Sequence, residues 1–240
     1  MLSIITPVLN GGKFIRKNIE SIKSLSIPFE HIIVDGGSTD DTLQIVNEYP
    51  HLKLIRQTEK KGMYQAIDMG FRLAQGEYIT WVNCDDYIIT KAYENLYNYA
   101  KNHKKINFAT SDGIINDVNT NKQIVVRSTR CLRYFLTKGF FAFLQPSAIY
   151  TKSAYYTVGG LRYDKFKIVG DLDLFIRMAR DKRINFGYLP IKTTVFLKYG
   201  QSLLDQNLET ANVETKQIKD SVKIPFLLRI LLKLLRLIRI

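Results

Sequence analysis

Through the first 90 positions, short apolar runs alternate with apolar residues at helical spacing, and this alternation constrains the fold more than any other feature of the chain. Residues 3–6 read as a strand, after which Phe14, Ile15, Ile19, Ile22 and Leu25 recur at helical spacing. Residues 31–34 read as a second strand ending at Asp35-Gly36-Gly37-Ser38, and Ser38 with Asp41 is predicted to form a capping box for a helix through Leu43, Ile45 and Val46. A third strand over 52–56, a helix over 63–74 and a fourth strand over 78–82 continue the pattern, the last running into Asn83-Cys84-Asp85-Asp86. Strands separated by helices cannot pair as tight hairpins, so the reading is an α/β fold with a Rossmann-like, mostly parallel central sheet flanked by helices.

The second half is less regular. A helix containing Tyr93, Leu96, Tyr97 and Ala100 precedes strands between 106 and 127 with a turn over 116–122. A strand over 144–150, a helix over 171–180 and one or two strands over 186–197 follow. No Pro- or Gly-rich linker and no internal repeat interrupts the chain, so residues 1–215 are taken as one continuous domain, in halves of 1–105 and 106–215.

Residues 216–240 form a tail of different character. From Ser221 onward no acidic residue occurs, while Lys223, Arg229, Lys233, Arg236 and Arg239 interrupt a Leu/Ile-rich pattern. Arg229, Lys233, Arg236 and Arg239 share a helical stripe opposed by Leu227, Leu228, Leu231, Leu234, Leu235 and Ile238, a basic amphipathic helix suited to an anionic membrane surface. Docking on the body or on a second subunit is the plainer alternative. These five residues also carry a large part of the formal charge of +13, which otherwise suggests a nucleic-acid partner; no nucleic-acid-binding motif accompanies it. No apolar run approaches the ~20 residues that a bilayer requires, no basic region and apolar core open the chain as a leader, and two cysteines suit a reducing compartment.

In open α/β sheets, ligands sit beyond the carboxyl ends of the strands. Three polar clusters fall there: Thr6-Pro7-Val8-Leu9-Asn10, Asp35-Gly36-Gly37-Ser38 and Asn83-Cys84-Asp85-Asp86. Adjacent carboxylates repel, so Asp85 and Asp86 suggest a cation, Mg2+ or Mn2+ by the hardness of oxygen ligands, although helix capping explains the doublet equally well. Asp35 taken alone is also compatible with a turn.

Taken in order, these clusters together with Gly62-Met63-Tyr64-Gln65-Ala66, Ala74-Gln75-Gly76-Glu77-Tyr78, Gln145-Pro146-Ser147, Gly159-Gly160-Leu161-Arg162-Tyr163-Asp164 and Gly170-Asp171-Leu172-Asp173-Leu174 resemble the family 2 glycosyltransferases of the GT-A fold. The similarity is greatest to members that build bacterial capsular, exopolysaccharide or lipopolysaccharide chains. The resemblance implies an inverting transfer from a nucleoside-diphosphate sugar to a saccharide or lipid-linked saccharide acceptor, at the inner face of the cell membrane. It implies that Thr6, Pro7, Asn10, Asp35 and Gly36 hold the base and ribose, that Asp85, with Asp86, binds the divalent metal, and that Asp171 is the catalytic base. Asn83 stands where an aspartate near the ribose is usual, which argues against direct metal ligation by that residue. Gly62 would permit close approach of the donor, and Tyr64 either contacts it or packs. Lys60 and Asp68 depart from the family pattern at positions that bear on donor choice.

Without the resemblance, Asp171 reads as a helix N-cap. His31 and Cys84 read as structural residues, and Trp81 as core, with sugar stacking as the alternative. Two further classes were weighed: a sugar nucleotidyltransferase, for which Asn10-Gly11-Gly12-Lys13 is a poor phosphate loop, and a basic nucleic-acid-binding module supported by charge alone. A nicotinamide enzyme is excluded by the lack of a G-x-G-x-x-G after the first strand.

Overall fold

Strand β1 (Leu2–Val8) is buried along its whole length, which is why it runs apolar without the alternation of a half-exposed strand. The computed structural model to which it belongs describes residues 1–59 and 61–222. Helix α1 (Gly12–Lys23) turns Ile15, Ile19 and Ile22 inward. Strand β2 (Phe29–Asp35), helix α2 (Thr42–Asn47), strand β3 (Lys53–Arg56), helix α3 (Met63–Leu73) and strand β4 (Tyr78–Trp81) complete the expected succession. These four strands pair in the order β3-β2-β1-β4, all parallel, so the loops after β1, β2 and β4 emerge at one edge.

The remaining elements are β5 (Tyr87–Ile88), α4 (Thr90–Asn102), β6 (Phe108–Asp117), β7 (Lys122–Val126), α5 (Leu132–Thr137), β8 (Ala148–Thr151), α6 (Lys152–Thr157), α7 (Gly170–Arg180), β9 (Phe186–Lys198), α8 (Leu203–Gln206) and α9 (Leu208–Asp220). They make the sheet mixed rather than mostly parallel. β8 runs antiparallel to both β4 and β6, β6 is parallel to β9, and β5 and β7 pair antiparallel with β9 and β6. The physical reason is visible at β7, which follows β6 through a short turn that permits only antiparallel return.

Three local expectations are corrected. Ser38 does not cap α2: its hydroxyl accepts from the Asn10 N–H at 2.9 Å, and the helix begins only at Thr42. Residues 145–147 form a 3-10 turn in which Pro146 lacks the N–H a strand needs, so β8 starts at Ala148. Residues 186–198 are one strand, whose register against β6 breaks around Asp112.

The largest core cluster is aromatic. Trp81 is 1% exposed and stacks on Phe175 at 6.0 Å with an interplanar angle of 12°, so its role is packing. The body also continues past residue 215. Ile218 and Val222 are buried with Phe166, Leu172 and Ile176, which docks α9 onto α7. The proposed membrane helix falls on residues 223–240, and Lys60 on position 60, both outside the described residues. Among the described residues no helix is long and apolar enough to cross a membrane.

Candidate active site

The loops after β1 and β2 are tied to each other. Asn10 adopts a left-handed conformation (φ 53°), which places its Oδ1 to accept from the Thr39 N–H at 2.8 Å. Asp35, fully buried at the end of β2, accepts from Gly37 N–H at 3.1 Å and Ser38 N–H at 3.0 Å, while Gly36 N–H donates to the Val8 carbonyl at 2.8 Å. Gly37 has φ 98°, a conformation that an L side chain resists. Asp35 thus shapes its own turn, while Asn10 and Gly36 lie on the surface of the same edge.

Thr6 and Pro7 are buried inside β1. The Thr6 hydroxyl is 3.2 Å from Asn18 Oδ1 and 2.9 Å from His31 Nε2, so its side chain supports the loop from below instead of facing the cleft. His31 is the structural residue expected, with burial pushing its imidazole down to about 3.

At the end of β4 the acidic turn hangs on Asn18. Its Nδ2 donates to the carbonyls of Asn83 and Asp86, each at 2.9 Å. Sequence reasoning missed Asn18; the available signal was a polar residue within the buried Ile15, Ile19, Ile22 face of α1. The two aspartates are separated in role. Asp85 is partly exposed and accepts from the Tyr199 hydroxyl at 2.9 Å, and burial raises its pKa against the lowering effect of that bond. Asp86 is 1% exposed, turns toward β9 and accepts from the Leu197 N–H at 3.1 Å. Burial and the neighbouring Asp85 hold Asp86 well above the usual carboxylate range, which suits a neutral strut between the turn and β9 better than a metal ligand.

Among the described residues no three His, Cys, Asp or Glu side chains gather as a metal site. The donor set nevertheless fits a hard divalent cation of partial protein coordination. Asp85 offers a carboxylate, and the buried Asn83 Oδ1 has no hydrogen-bond partner. Such an ion takes its remaining ligands from phosphate oxygens and water. Tyr199, also unforeseen, stacks against Phe14 at 4.8 Å and closes the site from the β9 side; an aromatic next to Gly200 at the end of a long strand was its only sequence signal.

Asp171 lies in the first turn of α7, but it is not the N-cap, which falls at Val169. Its Oδ1 accepts from the Leu172 N–H at 2.8 Å and lies 3.1 Å from the Tyr64 hydroxyl. Burial pushes its pKa up to about 6, against the opposing pull of those two donors. Tyr64, 3% exposed, therefore packs and contacts the carboxylate at once. It stands in the first turn of α3, beyond the carboxyl end of β3, and so ties Asp171 to the ligand edge of the sheet. Gly170 admits the ring, since a Cβ there would stand 2.9 Å from Tyr64 Cε2. Gly62 precedes α3 with φ 96° and has open space where a Cβ would sit, so its glycine serves conformation and leaves an open surface.

Asp68 is removed from the cleft. Its carboxylate accepts from the Tyr155 hydroxyl at 2.7 Å and from Arg72 Nε at 2.8 Å, a buried anchor with no direct reach to a donor. Asp173 likewise pairs with Arg162 and with Arg177, whose guanidinium also donates to the carbonyls of Val158 and Gly160. The Gly159-Gly160-Leu161-Arg162 segment is thereby fastened to α7.

This arrangement has relatives. The family model described as "Glycosyl transferase family 2" matches residues 3–160. The glycosyltransferase GlyG of Streptococcus pneumoniae is 35% identical over 102 residues, 40% of this chain and 34% of that protein. The poly(ribitol-phosphate) β-N-acetylglucosaminyltransferase TarP of Staphylococcus aureus is 30% identical over 107 residues, 42% of this chain and 33% of that protein. The matched segment thus spans about a third of these curated relatives. Among solved structures, Staphylococcus aureus TarS superposes with a TM-score of 0.66 at 18% identity, covering 91% of this chain and 69% of that one. The mannosyltransferase PcManGT of Pyrobaculum calidifontis, solved with GDP-Man and Mn2+, gives 0.62 at 18% identity over 84% of this chain and 57% of that one. The chain has the α/β GT-A fold and belongs to glycosyl transferase family 2.

Proposed function

We propose that the chain is an inverting, metal-dependent glycosyltransferase that moves a sugar from a nucleoside-diphosphate sugar to a hydroxyl of a lipid-linked or growing bacterial surface polysaccharide. The observation that carries this reading is Asp171, a carboxylate raised to about 6 and oriented by Tyr64 at the ligand edge. A carboxylate with that affinity is ionised at neutral pH yet basic enough to accept a proton, which is what a general base requires. Asp171 takes the proton of the acceptor hydroxyl as its oxygen attacks the anomeric carbon. The bond from that carbon to the diphosphate oxygen breaks on the opposite face, and the nucleoside diphosphate leaves with the electron pair. One displacement inverts the anomeric centre. Asp85 and Asn83 Oδ1 would hold the cation, which when bound supplies positive charge to the departing diphosphate.

Several relatives support the substrate class. TarS has been solved with UDP-GlcNAc and PcManGT with GDP-Man and Mn2+, and TarP is named for transfer to poly(ribitol phosphate). Family membership favours sugar transfer over nucleotidyl transfer or nucleic-acid binding. Five basic residues without an acid in 221–240 support a place on an anionic membrane surface, the cytoplasmic face of the cell membrane. The test is a screen of UDP-, GDP- and dTDP-sugars for release of nucleoside diphosphate, with the product's anomeric configuration read by NMR. A β-linked product from an α-linked donor is expected; an α-linked product would overturn the inverting mechanism, and no turnover with any donor and acceptor pair would overturn the function.

A further inference from the structure

Three successive backbone amides ahead of Asp171 converge on one side chain from far along the sequence. Glu214 of α9 accepts from the Lys167 N–H at 2.7 Å through Oε1, and from the Ile168 and Val169 N–H groups, both at 3.0 Å, through Oε2. It is 6% exposed. Helix α7 has no side-chain cap of its own, because its N-cap is Val169. A carboxylate at that end meets both the amides that the approach to the helix leaves unpaired and the positive end of the helix dipole.

The same short segment is gripped from its other side. The Ile168 carbonyl lies 2.9 Å from the Tyr64 hydroxyl, which is also 3.1 Å from Asp171 Oδ1. Ile168 is thus held at its N–H by Glu214 and at its C=O by Tyr64. α9 itself is seated firmly, through Ile218 and Val222 on Phe166, Leu172 and Ile176.

We propose that Glu214 is a positioning residue for Asp171: its carboxylate fixes residues 167–169 so that Tyr64 and Asp171 meet in the geometry that orients the base. The inference rests on the reading of Asp171 as that base. It also makes the C-terminal helix part of the active-site frame, since the segment carrying Asp171 is held by a residue more than 40 positions downstream.

The test is a double-mutant cycle in the full chain with Glu214→Gln and Asp171→Asn, measuring kcat, donor KM and thermal midpoint. Glutamine keeps the size but presents an N–H donor to amides that need acceptors. Misplacement of a base predicts a kcat loss of roughly 10- to 100-fold with donor KM nearly unchanged. Because Glu214 acts through Asp171, adding Glu214→Gln to Asp171→Asn should cost little further turnover. An unchanged kcat in Glu214→Gln, an equal loss in both backgrounds, or a loss confined to donor KM would overturn the proposal. Should Glu214→Gln fail to fold, Glu214→Asp, which keeps the charge and shortens the reach, enters the same cycle under the same criteria. Wild-type turnover in Asp171→Asn alone would instead sink the assignment of the base.

Discussion

The Tyr64 hydroxyl lies 3.1 Å from Asp171 Oδ1 and 2.9 Å from the Ile168 carbonyl oxygen, so a single hydrogen serves two acceptors. Ionised Asp171 is the stronger acceptor and draws that hydrogen to itself. The base works only when ionised. With its pKa pushed up to about 6, turnover is expected to rise with pH through about 6 and to level above it. Tyr64→Phe removes a donor that favours the ionised form, and should move this acid limb to higher pH. A pH series of kcat checks both; a flat profile across that range would contradict the assignment.

The same shift has a sign for stability. A carboxyl raised from 3.8 to about 6 holds its proton more tightly in the folded chain, so its ionisation weakens the fold as pH rises between those values. Asp171→Asn removes that effect. Denaturant titrations at neutral pH should find the variant at least as stable as the parent, and a marked loss of stability would contradict this account of the site.

Asp85 and Asp86 are expected to differ in substitution. Asp85→Asn should abolish the metal-dependent part of donor binding and turnover, with little change in thermal midpoint. Asp86→Ala should destabilise the chain by roughly 1–3 kcal/mol, because the buried Leu197 amide loses its acceptor. Chelation with EDTA should reproduce the Asp85 phenotype in the parent. Full activity after chelation, or a purely structural defect in Asp85→Asn, would reject the division of labour.

Asn18 is the hidden support of the acidic turn. Its removal leaves the carbonyls of Asn83 and Asp86 without their side-chain donor, so Asn18→Ala should cost roughly 2–3 kcal/mol in urea unfolding. It should also weaken donor binding, since the turn carries Asp85. Parent-like values of both would show that the turn is held by other contacts.

The first four strands and their loops were legible because parallel strands buried on both faces write continuous apolar runs that end in polar clusters. Asp35, Asp85 and Asp171 were legible as candidates, the last two with alternatives that only geometry separates: Asp86 turns to Leu197, and Asp171 sits one turn inside α7, beyond the N-cap. The partners Asn18, Tyr199 and Glu214 were not, because each acts across a large sequence separation through backbone groups or a single hydroxyl. A capping signature such as Ser38 and Asp41 fails for the same reason, since a loop 28 positions away claims the serine hydroxyl. The mixed second half was obscured because β8 and β5 are short, and β6 and β9 change register at Asp112.

Single-turnover kinetics of Asp171→Asn, with the donor affinity of the same variant measured by calorimetry, test the central claim most directly. Loss of a general base predicts a fall in turnover of about 10^2- to 10^4-fold with donor affinity unchanged. Parent-like turnover, or a loss accounted for by weakened donor binding, would contradict it.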